Sequence, residues 1–233
     1  GADVVLKEAG LSALPKVNRA VLVGTAISPG QPDVKADGTE VRTLWGEMAW
    51  QLGGAEGYAI VAEADRTGTN PGTKLNDLLR TYAPCMVLID EWVAYARQLY
   101  ANSELPAGTF DTHFTFAQAL TEAAAAVQGA LLVVSIPASD KVRAVQGATG
   151  DVSAIEIGGE GGVEALRRLK AVVERVAAQW QPASADEAYE IVRRRLFEEM
   201  TDPDASAARD AVIEAFMNLY RSQTGDFPGE CRE

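Results

Sequence analysis

The sequence is short of the residues from which most small catalytic and metal sites are built. It holds two cysteines, Cys85 and Cys231, and one histidine, His113. The cysteines are far apart and Cys85 sits in an apolar run, which disfavours a disulfide framework or a thiolate metal site. A His/Cys metal cluster is excluded by count. A Ser-His-Asp hydrolase would have to use His113, and no GxSxG elbow is present to carry its nucleophile. No apolar run approaches the roughly 18 residues that a membrane span needs. Gly1-Ala2-Asp3 carries no basic region of the kind that opens a signal peptide, so a cytoplasmic protein without membrane contact is expected. Basic residues are outnumbered, 21 against 33, giving a net charge of −12. That balance disfavours direct contact with a nucleic-acid backbone. The GxxxxGK[ST] phosphate grip is missing, and the polar stretch Asp65–Gly72 does not replace it. The chain opens on Gly1 rather than Met and ends on Cys231-Arg232-Glu233, as expected of a piece of a longer protein.

What is present is enough apolar material for a core: 233 residues, 47% of them hydrophobic. This suits one α/β domain of about 150 to 180 residues with a smaller appendage. The organising stretch is Cys85-Met86-Val87-Leu88-Ile89-Asp90-Glu91-Trp92. Its apolar half reads as a strand buried on both faces, as in a parallel sheet. Asn18–Thr25 and Leu131–Ser135 are two further strands. Between them the pattern predicts helices over 40–52, stopped by Gly53-Gly54, over 55–64, over 75–82 capped by Thr73, over 92–100 and over 112–128. Trp45 and Trp50 read as core anchors. Ser28–Gly38 reads as a polar loop, Ser153–Ile157 as a short strand, Gly158–Gly162 as a hinge, Val163–Val173 as a helix and Glu174–Trp180 as a last strand. From Pro182 the texture turns helical. Ser184 and Glu187 form a capping box, and a second helix starts at Asp204 or Ser206. The expected domains are therefore an α/β core over 1–182 and the start of a helical subdomain over 183–233.

The chemistry concentrates where the central strand ends. Adjacent acids at the C-terminal edge of a parallel strand lie where open α/β sheets bind ligands. Asp90 suits a Mg²⁺ ion held through its water shell, and Glu91 suits polarising an attacking water. The plainer alternative is a buried strand that stops at two solvated acids. Arg193, Arg194 and Arg195 form a basic run that reads as a solvated or salt-bridged helix face rather than a DNA contact.

The order of elements resembles the AAA-type P-loop ATPases. In that resemblance Leu88-Ile89-Asp90-Glu91 looks like Walker B, with Asp90 as the metal ligand and Glu91 as the catalytic base. Ser135 falls where these proteins place sensor 1. Arg175, in Arg175-Val176-Ala177-Ala178, falls near the usual place of an arginine finger, with Arg167 and Arg168 as rivals. Several longer stretches are similar to a particular family of large prokaryotic ATPases, catalogued as domain of unknown function 499. They include Arg19–Thr25, Asp37–Glu47, Ile89–Arg97, Phe114–Leu120 and Ile191–Phe197. The resemblance implies a three-layer P-loop NTPase-like parallel sheet flanked by helices and followed by a helical lid. It implies ATP and Mg²⁺ as cofactors, a homo-oligomer, and partners in DNA modification or phage defence. Family members carry a Gly-Lys-Thr loop upstream of the region matching residue 1, and this chain does not. The expectation is an ATPase whose 233 residues alone are inactive. The alternative is a non-catalytic assembly module on a degenerate nucleotidase core.

Overall fold

A computed structural model describes residues 2–137, 158–178, 185–198 and 202–223. The chain divides into two compact units, Gly1–Gln179 and Trp180–Glu233.

The first unit is α/β, built on a three-stranded parallel sheet of β1 (Asn18–Val23), β4 (Cys85–Asp90) and β5 (Ala130–Val134) in the order β1-β4-β5. The register pairs Ala20 with Val87 and Val87 with Leu132, and Leu22 with Ile89 and Ile89 with Val134. Successive strand side chains point to opposite faces, so these residues share one face. That face is the core: Ala20, Leu22, Cys85, Val87 and Ile89 are buried against the helices. The covering elements are α2 (Leu44–Thr67), α3 (Lys74–Tyr82), α4 (Trp92–Ala96) with a 3-10 turn over Arg97–Leu99, α5 (Phe110–Ala126) and α6 (Gly159–Val173). A short helix, α1 (Ala2–Glu8), precedes β1.

Helix α2 is two arms. Gly53 and Gly54 leave helical geometry, and Gly54 has φ 59, a left-handed conformation that glycine adopts without strain. The second arm folds back along the first, so that Asp65 near its end meets Thr43 and Gly46 at the start of the first. This matches the helix, glycine stop and second helix expected from the sequence. Asp65 is wholly buried. Its carboxylate accepts from Arg42 N at 3.1 Å, Thr43 N at 2.9 Å, Thr43 Oγ1 at 2.5 Å and Tyr58 Oη at 2.8 Å. A carboxylate on the first amides of a helix is favoured both by those bonds and by the helix dipole. Burial and the Asp65 carboxylate push the Tyr58 hydroxyl pKa upward.

Several boundaries differ from expectation. The 28–41 stretch contains an antiparallel pair, β2 (Asp33–Val34) with β3 (Glu40–Val41), so helix α2 starts at Leu44 with Thr43 as its cap. Lys35, in the turn between those strands, pins the pair to α2 by bonding Glu47 at 2.5 Å and lying over the Trp50 ring. Asp65 belongs to a helix rather than a loop. Thr73 makes no side-chain cap bond, because its own backbone is already helical. The Trp92–Tyr100 helix breaks after Ala96 into the 3-10 turn. Helix α5 starts at Phe110, capped by Thr109. Gly159–Gly162, expected as a hinge, form the first turn of α6, where Gly161 lies against the Tyr100 ring and a larger residue would collide with it. Glu174–Ala178 is a turn and irregular chain rather than the head of a strand, because the α6 pattern closes on its own carbonyls. Ser153–Ile157 and Ser184 lie outside the described residues, as does Cys231.

The second unit contains α7 (Ala185–Leu196) and α8 (Pro203–Ser222). Asp202, not Asp204 or Ser206, caps α8, with Pro203 as its first residue. Arg193 and Arg194 pair within α7 to Glu190 at 2.6 and 2.7 Å. Those two guanidiniums hold the Glu190 carboxyl down to about 2. No described helix is long and apolar enough to cross a membrane.

Candidate functional site at the strand ends

Three parallel strands finish side by side, and a polar side chain follows on each. Thr25 lies just beyond β1, Asp90 and Glu91 end β4, and Ser135 follows β5. The backbone makes the row compact. Gly24 N donates to Asp90 O at 2.9 Å and Ser135 N donates to Ile89 O at 3.0 Å, extending the ladder by one residue on each side. A Cβ on Gly24 would run into the Glu91 carbonyl. Only glycine allows that approach, which is why the first strand ends on Gly24-Thr25.

Two hydroxyls meet the two acids. Ser135 Oγ donates to Asp90 Oδ1, and Thr25 Oγ1 donates to Glu91 Oε2, both through short bonds. Asp90 Oδ1 also accepts from Glu91 N at 2.9 Å. Glu91 has φ 52 and ψ 34, a left-handed conformation unusual outside glycine and asparagine. It turns the chain sharply from β4 into α4, whose residues Trp92 to Ala96 are all buried. Asp90, Thr25 and Ser135 are exposed and Glu91 is half-buried. Among the described residues, nothing meets Asp90 Oδ2 or Glu91 Oε1.

The donor set is oxygen only: two carboxylates and two hydroxyls. No group of three or more His, Cys, Asp or Glu that could cage a metal occurs among the described residues. Such a set suits Mg²⁺, which keeps most of its waters and takes one or two carboxylates together with substrate phosphates. It does not suit zinc or a soft metal.

The structure thus brings Asp90, Glu91 and Ser135 together and adds Thr25, which sequence reasoning passed over. Its signal was the Gly24-Thr25 pair at the end of the strand that proves to adjoin β4. Arg175 stands elsewhere. It follows α6 and lines a shallow hollow with Gln118, Thr121, Glu122, Val172 and Val176. Its rivals are engaged: Arg167 pairs with Glu164 at 2.7 Å, and Arg168 bonds Glu164 at 2.8 Å and Asp111 at 2.6 Å. His113 is a core residue. Trp92 Nε1 donates to its Nε2 at 2.6 Å, and burial pushes its pKa down to about 3.

Fold and site together define an α/β protein with a parallel sheet and an acidic, hydroxyl-flanked row at the C-terminal ends of its strands. The family model of the DUF499 N-terminal domain matches residues 16–181. The chain belongs to the DUF499 family, whose N-terminal domain spans the sheet and its covering helices. No curated protein and no solved structure matches it.

Proposed function

We propose that this chain carries the acidic half of an ATP-hydrolysing site of the AAA-type P-loop class. The observation that carries the reading is the row itself. Asp90 and Glu91 end the middle strand of a parallel sheet, each held by a hydroxyl from the neighbouring strand end and each keeping one oxygen that meets nothing among the described residues. In this reading Asp90 holds Mg²⁺ through its water shell, and the ion neutralises charge on the transferred phosphoryl group. Ser135 fixes the orientation of Asp90 and stands one strand over, where it would sense the γ-phosphate of a bound nucleotide. Glu91 accepts a proton from the attacking water, and Thr25 sets where the Glu91 carboxylate points. No lysine and glycine-rich loop grips the β- and γ-phosphates here, so that grip comes from a part of the protein outside this chain. Arg175 acts on a neighbouring copy's site in a homo-oligomer. ATP and Mg²⁺ are the ligands, and coupling to a DNA-related or phage-defence process follows the family resemblance.

A second reading, a non-catalytic assembly module, draws on one feature: both acids are already partnered by hydroxyls of their own chain. Glu91→Gln in the whole protein separates the two. Loss of a general base costs about 10² to 10⁴ in rate, so hydrolysis should fall at least about 100-fold while ATP binding is kept. Unchanged turnover overturns the role of Glu91. Absence of ATP binding in the unaltered whole protein favours the module.

A further inference from the structure

The imidazole of His113 is 1% exposed. A phenylalanine or leucine there would fill the same space with no polar atom to bury. Its Nε2 accepts from Trp92 Nε1 at 2.6 Å, so the neutral ring carries its proton on Nδ1. Nδ1 has no partner among the described residues. The bond to Trp92 is thus what this ring offers that an apolar one would not. Trp92 directly follows Glu91 and opens α4, a helix of five residues. So short a helix does not hold its own shape without outside contacts. The Glu91 backbone is left-handed, so the turn before α4 persists only because its surroundings fix it. From β1, Gly24 closes against the Glu91 carbonyl. From α5, His113 holds Trp92 and lies against Tyr95 one turn on, with ring centres 5.8 and 5.2 Å away. Helix α5 is 17 residues long and capped by Thr109, which makes it the firmer partner.

We propose that His113 is a positioning residue for the strand-end site: its bond to Trp92 holds the turn that fixes where the Glu91 carboxylate stands. Its effect on rate rests on the reading of Glu91 as the base; the hold on the turn does not. His113 acts through the Trp92 indole rather than by touching a reactant. Without the acceptor the buried indole N–H is stranded. The ring must shift to find another partner, and Glu91 shifts with it because the two residues share a peptide bond. The contact between Glu91 and Thr25 then loses its alignment.

Residue-resolved hydrogen exchange on the whole protein reads the turn without nucleotide. Trp92→Phe and His113→Phe break the bond from opposite ends. Each should speed exchange of the Glu91 and Tyr95 amides at least about 10-fold, and leave that of Cys85, at the far end of the same strand, within about twofold. His113→Gln puts an amide oxygen where Nε2 stands and should restore slow exchange. In ATP hydrolysis the two phenylalanine variants should lose about 10- to 100-fold in kcat. KM for ATP should stay within about twofold, and His113→Gln should recover most of the loss. A loosened turn in a whole protein that never hydrolyses ATP supports the hold on the turn and overturns only the hydrolytic reading. A loosened turn with unchanged kcat overturns the positioning role and leaves the hydrolytic reading standing. Exchange that rises equally at Glu91 and Cys85, or a His113→Gln variant as loose as His113→Phe, makes the bond a general core contact and overturns the proposal.

Discussion

Two carboxylate clusters in the first unit share a chemistry and differ in what surrounds them. Asp65 is wholly buried, and both of its oxygens are taken by two backbone amides, a threonine hydroxyl and a tyrosine hydroxyl. Asp90 and Glu91 stand at the strand ends, each with one oxygen held by a hydroxyl. In the first cluster the bonds from Arg42 and Thr43 tie the start of the first arm of α2 to the end of the second, and Tyr58 adds a bond within the second arm. In the second the bonds orient the acids and leave capacity over. A fully bonded buried acid is a clamp, whereas a half-bonded accessible pair is equipped to meet a ligand.

The contrast is broken most directly at Asp65. Asp65→Ala strands two amides and the Thr43 hydroxyl inside the protein, which at the usual cost of unpaired buried groups amounts to about 3–5 kcal/mol. Urea unfolding should show that loss, and a cost below about 1 kcal/mol would remove the distinction. Next in size is a pH effect from another buried polar group, His113. Its folded pKa of about 3 lies below the ordinary 6.5. The native state therefore binds fewer protons than the unfolded one between those values. Its contribution is fully present above pH 6.5 and declines as pH falls toward 3. At pH 5 the loss is about 2 kcal/mol, from about 1.4 kcal/mol per pH unit. His113 is the only histidine, so no other imidazole contributes to the slope of urea midpoints between pH 6.5 and 5. A flat profile over that window would contradict a neutral buried imidazole. Smallest in stability are Asp90→Asn and Thr25→Ala. Both are exposed, and each should shift unfolding by less than about 1 kcal/mol. Thr25→Ala sharpens the comparison in a second way, because the freed Glu91 should change turnover in the whole protein while ATP affinity stays within about twofold under the proposed division of roles. Equal changes in both would mean that Thr25 acts on binding instead.

The strand-end acids were legible because everything that marks them is local: an apolar run, a Pro before it, two acids after it. The other two sheet strands and the Gly53-Gly54 stop were legible for the same reason. Asp65 was not. It lies in a polar, glycine-rich stretch that reads as loop, and its burial depends on the first arm of α2 returning to meet it. Thr25 was half-legible: the strand end was found, but which strand lies beside β4 is a fact of topology. The Glu174–Trp180 segment misled because Val176-Ala177-Ala178 is apolar enough for a strand, while the α6 carbonyls claim its amides first. Gly158–Gly162 misled because glycine at the start of a helix loses little, the first amides being unpaired there anyway.

The backbone of Glu91 has a further consequence. A left-handed conformation disfavours a side-chain-bearing residue by about 1–2 kcal/mol and leaves glycine at ease. At φ 52, replacement of Glu91 by glycine would relieve the chain while deleting the carboxylate. Stability and use therefore pull this one position in opposite directions. In a lineage that no longer needed the acid, mutation would drift there toward glycine or asparagine, while the buried Asp65 would stay. A glutamate retained at this turn across related chains would accordingly register continued selection on the strand-end site, readable without any assay.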